Sequence, residues 1–329
     1  LKFMCAVIST NDGKQYQTPG FWPQAGAVIV GSMAGNMVSG LTKGVGPQLM
    51  NHMKELNKGV DTVELRKAVD SALESSGMTA KGVELIDVTG TGKKPKFSFT
   101  FKFPMGNTGE AVENAVENST IAPKVTPNFK LKKALLTEMP AWLRKTPFGK
   151  LYISIIEDML TNGNNACYLP KANKVVVNLE KLGTSAFHEI GHSMNRNASK
   201  FWKVMQKVRT PSMLLAGTVP IIGLFKRKKV EGEEPKNVVD KATTFIKNHC
   251  GVLTTAAFVP VVAEELKASQ RGNKLAKQLL SPENYKKVVK SNRLGAASYI
   301  LTALVAGVGA FVASHVRDLC SKPKEIKQA

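Results

Sequence analysis

Acidic residues are scarce in this chain. Its 329 residues carry 25 Asp and Glu against 46 Lys and Arg, a formal charge of +21. A surplus of that size favours anionic partners, either nucleic acid or an acidic lipid surface. The usual devices for reading nucleic acid are missing: there is no zinc-finger spacing, no helix-turn-helix pattern and no aromatic RNA-binding signature. Nucleic acid is therefore not the expected partner, and a basic surface that meets anionic lipid is. Cysteines number four, at 5, 167, 250 and 320, and form no CxxC pair. That argues against a disulfide scaffold and for reduced or buried thiols. The N-terminal stretch lacks the apolar core and small-residue cleavage site of a signal peptide, which favours a site facing the cytoplasm. TGTGKKPK (89–96) has no Walker spacing, so no phosphate loop is expected there.

Apolar content is 43% and charged content 22%, as in a folding chain rather than a disordered one. The sequence divides at about residue 130. Residues 1–130 form a mixed α/β region of unknown role. Within it, 26–42 (AGAVIVGSMAGNMVSGL) is an apolar stretch with Gly31 and Gly35 four apart, a pattern that lets helices pack closely. Residues 61–77 have the spacing of an amphipathic helix. VELIDV (83–88) and KFSFTFKF (96–103) have strand character, and a short helix is expected around 109–117. Residues 131–329 are helix-rich. They contain apolar segments at 211–225, 251–263 and 294–316, of which the last, flanked by Arg293 and Arg317, is long enough to span a bilayer. The first two are short and contain proline. Joined by the basic run 226–229, they read as a helical hairpin entering a membrane.

Histidines are few, five in all, yet two of them stand in SAFHEIGHSM (185–194) as His188-Glu189-x-x-His192. On a helix, residues four apart project from one face on successive turns. Both imidazoles can then give one nitrogen to a tetrahedral zinc ion. Glu189, one residue on, flanks the metal and is placed to act as general base. NACYLPKANKVVVN (165–178) reads as a hairpin turning at Pro170. Its second strand, Lys174, Val175, Val176, Val177 and Asn178, is the expected edge on which an extended peptide substrate pairs.

Two histidines leave a catalytic zinc one protein ligand short. The metzincin extension HExxHxxGxxH is absent, since Asn195 and Ala198 occupy the key positions. A glutamate from a later helix is the other common solution. Glu231, Glu233 and Glu234 lie in a polar loop expected to be solvated, and Glu283 suits a helix N-terminus. Glu264 and Glu265 follow directly on an apolar segment. Glu265 shares its face with Ala268, Ser269, Gly272 and Ala276, small residues on which a helix can sit closely. Glu264 shares its face with Lys267 and Arg271. Glu265 is therefore the expected ligand and Glu264 the reserve. His249 is a weaker alternative, and His52 and His315 are expected to stand apart.

HEIGHSMN, the hairpin before it and PVVAEELKASQRG (260–272) resemble the membrane-associated gluzincin peptidases, the group that holds the CAAX prenyl protease, the heat-shock membrane protease and bacterial neutral zinc metallopeptidases. The resemblance covers roughly residues 150–320. It implies an α+β, mainly α fold: a zincin-like catalytic core of edge hairpin and HExxH helix, with apolar membrane-associated helices. It further implies Zn2+ held by His188, His192 and Glu265, Glu189 as base, a peptide or protein substrate and an integral membrane location. Ser269 stands where many relatives have Asp, so the carboxylate that usually backs a histidine ligand is missing from that position. Arg271 and Tyr285 are the candidates for stabilising an oxyanion. The rival readings are a peptidase-like scaffold without activity and a soluble, basic, nucleic-acid-associated protein.

Overall fold

A computed structural model describes residues 5–40, 44–90 and 129–326. The run 96–103 and the short helix around 109–117 lie outside the described residues. The elements are β1 (Val7–Ser9), β2 (Gln15–Gln17), α1 (Phe21–Gly40), α2 (Val45–Asn57), α3 (Thr62–Ser75), β3 (Glu84–Asp87), α4 (Phe129–Glu138), α5 (Ala141–Arg144), α6 (Pro147–Thr161), β4 (Cys167–Leu169), β5 (Lys174–Val177) and α7 (Leu179–Leu182). They continue with α8 (Ala186–Ala198), α9 (Lys200–Phe225), α10 (Val238–Asn248), α11 (Cys250–Ala257), α12 (Val259–Leu279), α13 (Pro282–Cys320) and β6 (Lys324–Glu325). The fold is mainly helical, with two small three-stranded sheets among the described residues.

One sheet has the order β3-β5-β4. β5 runs parallel to β3 and antiparallel to β4. Alternation along β5 sends Val175 and Val177 into a core with Leu65, Val69, Phe187 and Ile190. Val176 points the other way, among Ile86, Leu131, Leu135 and Ile153. A strand covered on both faces reads as an unbroken apolar run, which explains VVV.

The expected strand assignment needs correction here. Lys174–Asn178 is not a free edge. β5 is the central strand, its backbone is engaged by both neighbours, and Val175, Val176 and Val177 are 0% exposed. Among the described residues, β4 is the edge strand that packs against α8.

The division at residue 130 is a second correction. β3 pairs with β5, and α3 packs into the same core as α8. The buried Asn57 of α2 donates to the carbonyls of Leu179 and Glu180 and accepts from Thr184 N. α1 lies antiparallel along α13: a Cβ on Gly35 would come within 2.8 Å of Ala313 Cβ, and Gly31 meets Ala313 and Arg317. The small-residue spacing seen at 31 and 35 is thus a helix–helix seam. These N-terminal elements belong to the same packed body as the C-terminal ones.

α9 continues N-terminal to the apolar run, through Pro211, and its end packs against the start of α11, where Gly223 faces Cys250. α11 and α12 are separated at Phe258, two residues before Pro260, which cannot donate to the preceding turn. The expected hairpin 211–225/251–263 is therefore present as α9 and α11–α12. Among the described residues, three helices are long and apolar enough to cross a membrane: those beginning at Phe21, Lys200 and Pro282. A fourth passes if α10 and the helix from Cys250 to Leu279, bent by 82°, count as one. Their outward faces are apolar and exposed, with Val30 and Met33 on α1, Leu214 and Ile221 on α9, and Leu304 and Phe311 on α13.

The second sheet, β1-β2-β6, sits at the end where α9 and α13 finish. Asn11 N donates to Gly232 O there, tying this sheet to the loop after α9. α8, the β3-β5-β4 sheet and the first turns of α9 and α13 form the opposite end.

α8 and α12 approach closely at glycines. A Cβ on Gly191 would collide with the backbone carbonyl of Ala268, and one on Gly272 with that of Phe187. Backbone cannot yield as a side-chain tip can. Gly191→Ala is therefore expected to lower stability by about 1–3 kcal/mol, the usual cost of overpacking, read as a fall in the thermal unfolding midpoint. An unchanged midpoint would contradict this close approach.

Candidate metal centre

α8 presents His188 and His192 on one face, as the four-residue spacing requires. α12 crosses it and brings Glu265 between them. His188 Nε2 lies 2.9 Å from His192 Nε2 and 3.0 Å from Glu265 Oε2. His192 Nε2 lies 3.3 Å from the same oxygen. In a tetrahedral zinc site, bonds of about 2.0–2.1 Å hold donor atoms about 3.3 Å apart. The three atoms thus converge at nearly the separation that one such ion imposes.

Each ring has a partner behind it, at its outer nitrogen. His192 Nδ1 donates to Glu264 Oε1 at 2.8 Å, because a carboxylate can only accept. His188 Nδ1 lies 3.0 Å from Ser269 Oγ. Both rings are thereby oriented with Nε2 toward Glu265, the arrangement in which a partner behind the ring fixes a histidine ligand.

The carboxylate that the sequence pattern lacks at 269 is supplied instead by Glu264. Far from lying on a solvated face, Glu264 is 0% exposed and is surrounded by donors: His192, Asn195 Nδ2 at 2.8 Å, Gln206 Nε2 at 2.9 Å and Arg209 Nη1 at 2.6 Å. Arg209 also reaches Glu265 Oε1 through Nη2 at 2.6 Å. One guanidinium therefore bridges the two glutamates. It answers only one of the three carboxylates at the site, Glu189, Glu264 and Glu265. Burial disfavours the charged ring of His192, but the Glu265 and Glu264 carboxylates hold its pKa well above the ordinary imidazole value. A cluster with this excess of negative charge suits a divalent cation.

Glu189 is buried, and its carboxylate has no hydrogen bond or ion pair among the described residues. One of its oxygens lies within 4.8 Å of ring nitrogens of both histidines. It opens onto a cleft of about 130 Å³, lined also by Met50, Asn165, Ala166, Asn292 and Tyr299. The Cys167 thiol, at the start of β4, is pushed far up by burial and by the Glu189 carboxylate, so it stays neutral. Among the described residues, two groups could hold a metal ion, His188 with Glu189 and His192, and His192 with Glu264 and Glu265.

Other expectations resolve as follows. His249 lies at the α10–α11 junction beside Phe245, and His315 lies near the end of α13, both away from this cluster. His52 is on α2 and takes no part in either group. Glu233 is not solvated: it is buried against Arg227 and Lys229. Tyr285 packs against the core, and neither it nor Arg271 lines the cleft. Tyr299 does, and it interacts with Glu265. Sequence reasoning missed Arg209, Tyr299 and the role of Glu264.

Comparison with protein-family models, curated proteins and solved structures finds no match to this chain.

Proposed function

We propose that the chain is a membrane-embedded zinc metallopeptidase of the gluzincin kind. The carrying observation is the convergence of His188 Nε2, His192 Nε2 and Glu265 Oε2 within 3.3 Å beside an unpartnered Glu189. These three side chains would hold the ion. Bound there, zinc would supply Lewis acidity toward a peptide carbonyl and lower the pKa of water.

The chain's own groups do the rest. Glu189 takes a proton from the attacking water and passes it to the departing amine. Glu264 accepts from His192 Nδ1 and leaves that ring's Nε2 free for the ion, while Ser269 Oγ, 3.0 Å from His188 Nδ1, holds the second ring in position. Arg209 holds both glutamates in place and offsets part of their charge. The Tyr299 hydroxyl, on the cleft wall, donates to the oxygen that becomes negative as the carbonyl is attacked. Asn165 and Ala166, at the cleft and leading into edge strand β4, offer the backbone against which an extended peptide lies.

The membrane reading is supported by the exposed apolar faces of α1, α9 and α13, which water would disfavour and lipid accepts. Elemental analysis of protein purified in detergent is expected to find one zinc per chain. Removal by a chelator is expected to abolish cleavage of a casein substrate, and added zinc to restore it. Protein without zinc, or activity that survives chelation, would refute the proposal.

A further inference from the structure

The end of the helical bundle away from His188 and His192 holds a second feature. A cavity of about 670 Å³ opens where α9 and α13 finish. Arg227, Lys228 and Lys229 line it from the loop after α9, and His315, Arg317 and Lys322 from the end of α13 and beyond. Five Lys and Arg side chains there meet three carboxylates, Glu231, Asp318 and Glu325. Asp318 is already engaged, by Lys247 Nζ at 2.9 Å, Arg317 Nη1 at 3.1 Å and Lys228 N at 3.2 Å. Arg227 and Lys229 pair with Glu233. The side chains of Lys228 and Lys322 have no ion-pair partner among the described residues.

Arg317 is the decisive group. It is 2% exposed, lines the cavity, and its Nε has no hydrogen-bond partner. Burying a charged donor without an acceptor is costly, so such groups are normally paired or serve a ligand. A phosphate, with several acceptor oxygens and negative charge, is what a guanidinium flanked by lysines recognises.

The level of the cavity points to where that phosphate comes from. α1 runs antiparallel to α13, so Phe21 and Trp22, both exposed, stand at the cavity end. Exposed aromatics of this kind collect at the membrane–water interface. α10, bent 82° from the helix that follows, exposes Val238, Val239 and Phe245 at the same end, as a helix lying in the interface does. Along α13 the rise from Tyr299 to Arg317 is about 27 Å, close to the roughly 30 Å hydrocarbon thickness of a bilayer.

We infer that this cavity binds a phosphate group at the membrane face opposite the metal centre. The phosphate is carried by an anionic lipid headgroup or by a soluble phosphate compound. The site is independent of the peptidase reading, since it shares no residue with the cleft.

The test uses the full chain in phosphatidylcholine nanodiscs, with dioleoyl phosphatidate added in graded amounts and binding counted by native mass spectrometry. Wild type is expected to bind at least tenfold more tightly than Lys228→Gln/Lys322→Gln. Lys286→Gln/Lys290→Gln, at the other end of α13, is expected to match wild type. Arg317→Gln is expected to lose binding, with its thermal unfolding midpoint and elution as a single species reporting whether it folds. In a second arm, inorganic pyrophosphate is titrated into discs of phosphatidylcholine alone. Pyrophosphate binding that depends on Lys228 and Lys322 identifies a soluble source; its absence beside tight phosphatidate binding identifies the lipid. Phosphatidate binding that is equal in wild type and Lys228→Gln/Lys322→Gln, or no binding of either probe, overturns the inference.

Discussion

Replacing Glu189 by Gln is expected to lower peptide hydrolysis by about 10²–10⁴-fold, the usual contribution of a positioned general base, while zinc content stays at the wild-type level. The separation of the two readouts follows from the geometry. Glu189 stands beside His188 and His192 without being hydrogen-bonded to either, whereas Glu265 makes the close approach to both Nε2 atoms. The amide of Gln keeps the shape of the side chain and cannot take the proton. Because Glu189 has no ion-pair partner, its neutralisation leaves no other charge stranded, and the variant should fold. Tyr299→Phe is the companion: loss of one oxyanion donor typically costs about 10²–10³-fold in kcat, again with zinc retained. A kinetic assay with zinc analysis on the same preparations checks both. Full activity in Glu189→Gln would remove the base from the mechanism and the mechanism with it.

The two adjacent glutamates should separate just as clearly. Glu265→Gln is expected to yield protein without zinc, since it removes the anionic donor that lies 3.0 Å and 3.3 Å from the two Nε2 atoms. Glu264→Gln is expected to keep zinc with affinity lowered by about 10–100-fold, the range for a group that orients a ligand rather than binding the ion. Its oxygen can still accept from His192 Nδ1, but its new NH2 group faces the Arg209 guanidinium, where Glu264 Oε2 now sits at 2.6 Å. Competition with a zinc-binding dye gives both affinities. Zinc loss in Glu264→Gln with retention in Glu265→Gln would exchange the two roles.

Several parts of the site were legible as sequence because they depend on local helical geometry. His188 and His192 face the same way on any straight helix. Gly31 and Gly35 mark a close seam wherever that helix packs. Glu265 was favoured over Glu264 by the small residues on its own face, and Gly272 does meet α8 backbone. What failed was whatever depends on a partner distant in the chain. The run Lys174–Val177 follows a hairpin turn and reads as its outer strand, but β3, ninety residues earlier, pairs with its other side. Beside Lys267 and Arg271, the face of Glu264 reads as solvated or salt-bridged, and the salt bridge it makes is to Arg209. Its actual partners, His192, Asn195, Gln206 and Arg209, come from α8 and α9. Ser269, read as a missing carboxylate, serves His188 while Glu264 supplies the carboxylate to His192.

The sequence by itself determined that His188 and His192 share a face of α8 with Glu189 beside them, the close-packing glycines and the long apolar helices. These follow from side-chain period and chain length, which act within one element. Tertiary structure decided which glutamate reaches both imidazoles, that Arg209 bridges the glutamate pair, that Tyr299 walls the cleft, and that a second, basic cavity stands at the far end of the same helices. Each of these is a meeting of groups from different elements. Adjacent helix positions diverge by about 100°, so only the crossing of α8, α9 and α12 could assign Glu264 and Glu265 their separate partners.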